Sequence, residues 1–318
     1  MVFNSRLRTF VLLFAVVPLS GCLFRTHVVE RPVSTATLRD ATKEQLIGAI
    51  NDMASRVQSL NASVDIDTSV SKQKKGKTNQ YQVTDYPEIS GYVLVRKPEM
   101  LRMRGLVPVV RSTLFDMVSN GKTFALSIPP QSKFIVGSNQ VGKPSSQALE
   151  NLRPQAVLDA LLLKEIDLQN EVTVLEQGTE TVKDPKTHKH VEQADYELII
   201  FRKDGNDSRK LIFNRVDLLP HEQLIYDAQG RLVTDAHYEN FTEYGGIPFP
   251  AIVELERPIE NYTIQLSIGK LTVNQPLKDA QFELPQPPGS KLINLDQKNG
   301  STAALDGQPA EQTPKPMR

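Results

Sequence analysis

Chemistry needs reactive side chains in company, and this 318-residue chain offers few of them. Its single cysteine, Cys22, closes the stretch Leu19-Ser20-Gly21-Cys22 at the end of an apolar run. One cysteine has no partner for an internal disulfide. His188 and His190 flank Lys189 shortly after Asp184-Pro185. A His-x-His in such a polar segment reads as a solvated turn, because the further ligands a metal site needs are not apparent. His221 and His237 fall on separate strand candidates, no G-x-S-x-G elbow accompanies them, and no glycine-rich phosphate loop occurs. Carboxylates are plentiful, but no spacing pairs them. The reading is of a protein without catalytic residues, cofactor or metal.

The elements around Cys22 account for it. Arg6 and Arg8 form a basic start, and Phe10 to Leu19 an uncharged apolar run. That run is well short of the roughly 20 residues that span a bilayer, so residues 1–21 read as an export signal. An ordinary signal ends in a small-x-small site, whereas Leu-Ser-Gly-Cys resembles the lipobox of bacterial lipoproteins. The resemblance implies cleavage before Cys22 and lipidation of that residue. Stable anchoring takes more than one acyl chain, which a triacylated cysteine bearing chains such as palmitate provides. Acylation also withdraws the thiol from metal binding and catalysis.

Cleavage would leave 35 basic against 37 acidic side chains, a balance that favours neither nucleic acid nor a strongly anionic surface. Residues 22–41 show weak periodicity and read as a flexible tether. Residues 294–318 are rich in Gly, Ser, Pro, Gln and Lys and read as a disordered tail, because so little apolar surface cannot offset the entropy of ordering. Residues 42–293 form the folded body. No apolar stretch in it approaches membrane-span length.

Thr42-Lys43-Glu44-Gln45 is a capping box, and Leu46, Ile47, Ile50, Met53, Val57 and Leu60 follow at helical spacing, predicting a helix over about 43–59. The period then changes to two. Strands are expected at 62–70, 88–97, 100–105, 112–119, 123–127 and 132–137, with Asn120-Gly121 as a type I′ hairpin turn. A second helix is expected over about 147–163, with Pro154 opening a first turn. Strands resume at 171–177, 195–203, 210–214, 221–227, 232–240, 251–256 and 262–268. About a dozen strands and two helices without βαβ alternation make a mainly antiparallel α+β fold.

The run Gly91-Tyr92-Val93-Leu94-Val95-Arg96-Lys97-Pro98-Glu99-Met100-Leu101-Arg102-Met103-Arg104, followed by Ser119-Asn120-Gly121-Lys122-Thr123, resembles the pattern of the LolA/LolB-like lipoprotein carriers. Asp227-Ala228-Gln229-Gly230, Tyr244-Gly245-Gly246-Ile247-Pro248 and Asp279-Ala280-Gln281-Phe282-Glu283-Leu284-Pro285 fit it in the same order. The resemblance implies a curved half-barrel, an unclosed β-barrel with helices over its concave face and an apolar cavity between. It makes Val93, Val95, Leu101 and Met103 candidates for the cavity lining, although alternating strands bury one face in any such fold. It makes Lys97, where the soluble carriers have an arginine, a candidate for the latch that holds the closed form. Lysine is a point charge and lacks the planar fork of arginine.

Leu106 and Val107, in the apolar loop Gly105-Leu106-Val107-Pro108-Val109-Val110, sit where the outer-membrane acceptor has a protruding loop for membrane or cargo. With no tryptophan, 12 phenylalanines and 8 tyrosines, any cavity should be small and aliphatic. Leu23 after the cysteine favours the outer membrane, facing the periplasm. The implied partners are the membrane through Cys22, acyl chains of a lipid or lipoprotein, and a periplasmic carrier protein. A scaffold or sensor built on the same fold is the alternative, since fold does not fix function.

Overall fold

The computed structural model describes residues 32–73, 80–139, 153–184 and 187–296. The export signal, Cys22, the first half of the tether and most of the tail lie outside them. A small unit comprises Met1–Thr35 and Thr179–Gln193, and a large one comprises Ala36–Gly178 and Ala194–Arg318. In the small unit, Val33 forms a parallel bridge with Glu192, and Asp184 Oδ1 accepts hydrogen bonds from the Thr187 amide and hydroxyl.

Helix α1 runs Lys43–Arg56 and helix α2 Pro154–Leu161. Strands β1 to β6 are Ser59–Gln73, Tyr81–Arg96, Met100–Leu106, Thr113–Ser119, Thr123–Ile128 and Lys133–Ser138. Strands β7 to β10 are Glu171–Lys183, His190–Arg202, Asp207–Asn214 and Pro220–Asp227. Strands β11 to β14 are Leu232–Tyr244, Ile247–Arg257, Tyr262–Val273 and Lys291–Asn294.

All fourteen strands belong to one sheet in the linear order β14-β6-β5-β4-β3-β2-β1-β13-β12-β11-β10-β9-β8-β7. The registered neighbours are antiparallel except β14, which lies parallel to β6. The sheet curls without closing. Helix α2 touches β4 and β12 at once, five places apart in the order. A flat sheet would separate them by roughly 24 Å at about 4.8 Å per strand, more than a helix can span with its ~10 Å diameter. This is the mainly antiparallel α+β fold that the strand pattern predicts, curled as the half-barrel that the resemblance implies.

The capping box at α1 forms as expected: Thr42 Oγ1 accepts from the Gln45 amide at 3.3 Å and Gln45 Oε1 from the Thr42 amide at 2.8 Å. Leu46, Ile47 and Ile50 pack on Leu198, Ile200, Leu211 and Phe213 of β8 and β9. The helix ends at Arg56, three residues before the expected limit. Asn274 takes over the chain there: its side chain donates to Arg56 O at 2.7 Å and accepts from the Gln58 amide at 2.8 Å. Helix α2 opens at Pro154, where the sequence places a first turn, and ends at Leu161; residues 147–152 of the expected helix lie outside the described residues, and its apolar side chains pack into a second cluster with β1–β6 and β11–β13.

Several strands outrun their expected limits, notably β2 from Tyr81 and β7 and β8 toward the small unit. The Asn120-Gly121 turn differs as well. Only Gly121 has a positive φ, 84°, and Asn120 Oδ1 instead accepts from the Lys122 and Thr123 amides at 3.0 and 2.8 Å. The asparagine thus serves the turn through its side chain, an Asx arrangement, where a type I′ turn would need it left-handed. At Gly91, facing Gly105 across β2 and β3, an added Cβ would lie 2.5 Å from the Arg104 carbonyl oxygen. The glycine of the Gly91-Tyr92-Val93 run is there because backbone approaches it.

After β13 the chain crosses β1–β6 as a strap. Ser59 Oγ donates to Gln275 O, Arg96 Nη1 to Leu277 O and Arg102 Nη1 to Gln281 O, at 2.7, 2.7 and 2.9 Å. Phe282 is buried under the Arg96 guanidinium, and Leu295 enters the core beyond β14.

Candidate functional site

The C-terminal turn of α1 and the end of α2 meet above β10–β12, and an apolar slot of about 40 Å³ lies between them. Met53, Ala54 and Val57 line one side, Ala160–Leu163 another, and Tyr238, Phe241, Phe249 and the prolines 220, 248 and 250 the rest. The Tyr238 hydroxyl ends beneath α2, where Gln223 Nε2 bridges it at 3.3 Å to Asp159 O at 3.0 Å. Burial pushes the Tyr238 phenol well above its ordinary value. The slot offers an apolar ligand dispersion contacts and almost no hydrogen bonding.

Three polar contacts fasten α1 over this slot. Lys97 Nζ donates to Ala54 O in the last turn of the helix, and Arg56 donates to Gly246 O. Asn274 clamps Arg56 and Gln58 as described above. Lys97, the latch candidate, makes a single ammonium contact to a helix carbonyl.

The other expected lining residues are placed differently. Val93, Val95, Leu101 and Met103 are fully buried in the main core and do not line the slot. Their strands lie on the β1–β5 side, whereas the slot lies beside β10–β12. The helix termini that border the slot gave no local signal in sequence. Its wall at residues 247–250 overlaps the Tyr244–Pro248 stretch that fits the carrier pattern.

In the loop after β3, Leu106 is buried and Val107 half-buried, while Val109 and Val110 are 97% and 70% exposed. Val109 and Arg111 have φ of 67° and 53°, uncommon for a β-branched residue, and Arg111 N closes the loop on Val107 O at 2.9 Å. The exposed apolar tip is thus two residues beyond the pair expected from sequence. Arg102 and Arg104 share the outer face, where both donate to Asp116 Oδ2 at 2.7 and 2.6 Å.

Among the histidines, His188 and His190 are exposed in the small unit, and His221 Nε2 pairs with Asp217 at 2.9 Å. His237 is in closer company. Its Nε2 lies 3.1 Å from Asp235 Oδ1, and Glu222 faces it across the β10–β11 ladder. The adjacent Asp235 carboxylate, opposed in part by burial, lifts the imidazole to about 9. Sequence shows the Asp235-x-His237 alternation, but it cannot show Glu222 opposite, which depends on strand register.

No family model and no curated protein matches the chain. Among solved structures it is similar to a LolA superfamily protein from Nitrosomonas europaea, at 16% identity and TM-score 0.44, covering 77% of this chain and 99% of that one. A DUF1329 family protein from Desulfovibrio piger is similar at 18% identity and TM-score 0.46, over 74% of this chain and 97% of that one. A domain described as an outer membrane lipoprotein-sorting protein, from Vibrio parahaemolyticus, is similar at 11% identity and TM-score 0.45, over 76% and 97% of the two chains. Each is a similarity at a TM-score below 0.5 and an identity below 20%.

Proposed function

We propose that the chain is an envelope lipoprotein, tethered to the outer membrane through acylated Cys22 and facing the periplasm, that shelters acyl chains of a lipid or lipoprotein inside its half-barrel. The observation that supports this most is the apolar slot under the C-terminal turn of α1, a turn held by the polar contacts of Lys97, Arg56 and Asn274. At about 40 Å³ the slot holds little more than one water's share of volume, ~30 Å³, so the described conformation is a closed one. Uptake would lift the C-terminal end of α1, exchanging the Lys97–Ala54 and Arg56–Gly246 contacts for burial worth about 0.8 kcal/mol per CH₂. Val109 and Val110, held outward by the loop backbone, are suited to touch lipid or a carrier protein during transfer.

The absence of tryptophan supplies a test. Met53→Trp would place the sole indole at the slot. Titration with a bromine-labelled fatty acid should quench its emission in a saturable way, and Lys97→Met should speed the change. A folded Met53→Trp protein whose emission ignores the labelled lipid would sink the carrier reading. The packed interior would then favour the second reading, a scaffold or sensor that uses the fold as a rigid platform.

A further inference from the structure

We propose that Glu222, Asp235 and His237 bind a first-row divalent transition metal ion, such as zinc, on the outer face of the sheet at β10–β11. The strand register builds the site. Glu222 on β10 is directly opposite His237 on β11, and Asp235 is two residues earlier on the same face. Their neighbours Gln223, Ala236 and Tyr238 are buried on the inner face, so the three donors point away from the apolar slot.

One donor atom from each residue lies within 4.8 Å of the others. Donors around one ion with bonds of about 2.1 Å stand at most about 4.2 Å apart, so a small side-chain rotation gathers this set. Asp235 Oδ1 is shut off from solvent, with the His237 ring nitrogen 3.1 Å away. A metal ion there would displace the proton that His237 holds against this carboxylate and bind both atoms.

Charge and ligand type narrow the ion. Glu254 on β12 faces His237 from its other side, and Glu256 faces Asp235, so the surroundings are anionic. Two carboxylates would neutralise a divalent ion, and the imidazole nitrogen selects zinc or a neighbouring transition metal over magnesium or calcium. Three protein ligands leave a position for water, and the partial exposure of all three residues lets the ion enter from solution.

The test uses full-length protein purified in detergent and stripped with chelator, titrated with zinc chloride by calorimetry and, separately, with cobalt chloride by visible absorption. The proposal expects one zinc per chain and a cobalt spectrum of mixed nitrogen and oxygen ligation. It expects affinity to fall at least about tenfold in His237→Ala and in Glu222→Gln, both checked for unchanged circular dichroism. The double variant His188→Ala, His190→Ala should bind as the parent does. Absence of stoichiometric zinc, equal affinity in His237→Ala, or loss of binding only in the His188/His190 variant would each overturn it. Should His237→Ala fail to fold, Glu222→Gln and the cobalt spectrum of the parent decide.

Discussion

Tyr262 shows how a single side chain in this interior reports on folding. It is buried in the main core, its hydroxyl accepting from the Arg153 amide at 3.4 Å, and burial pushes its phenol up to about 12. Unfolded, it would titrate near 10. The neutral form is favoured by the fold, so its contribution is fully present below about pH 10 and declines as pH rises toward 12. Spectrophotometric titration of the folded chain should therefore leave Tyr262 and Tyr238 unionised at pH 11, both ionising together with unfolding. Smooth ionisation of all 8 tyrosines by pH 11 in a chain still folded would contradict this. At this scale the sequence was legible wherever a residue's role is local. Alternation assigned Leu101 and Met103 to the inside and Arg102 and Arg104 to the outside. It could not separate core from slot lining, because both are apolar positions of the same face.

At the scale of elements, α1 is the part whose attachment would govern access to the slot in the proposed carrier. Its N-terminus rests on one reciprocal cap, and its C-terminus on Lys97, Arg56 and Asn274. Thr42→Ala should cost about 1 kcal/mol of stability by removing that cap, measurable as a lower urea midpoint with unchanged slope. If α1 is the moving part, the same variant in the Met53→Trp background should also be quenched faster by labelled lipid. The cap was plain in the sequence because its four residues are contiguous. The end of α1 was not, since Asn274, which stops it, is distant in the chain and its φ of 58° is set by the close of β13. The lengths of β2, β7 and β8 escaped for a related reason: their outer ends carry little apolar alternation, Tyr81–Glu88 of β2 being exposed throughout and the buried positions at the start of β8 being one apolar residue, Val191, and one polar, Gln193.

For the whole molecule, the strap after β13 ties the first half of the sheet together from outside and ends by inserting Leu295 into the core. Truncation after Lys278 would remove the buried Phe282 and Leu295, each worth roughly 1.5–3 kcal/mol, and would bare the β6 edge. The truncated chain should unfold several degrees lower and self-associate in size-exclusion chromatography. An unchanged melting temperature would show that the strap is passive. Sequence reading ended the body near the strand that completes it, because four residues of parallel pairing carry no periodic signature.

The linear strand order has a mechanical consequence. In a closed barrel, strand number and shear fix the radius, and any change of girth must break ladder hydrogen bonds. Here β14 and β7 end the order without meeting, so girth is set by twist and by what the two helices wedge inside. The lumen can dilate while every ladder stays intact, as a spring clip widens without losing a link. In the proposed carrier, capacity would then depend on how far the contents force the clip open, and the resting volume would be only the lower limit.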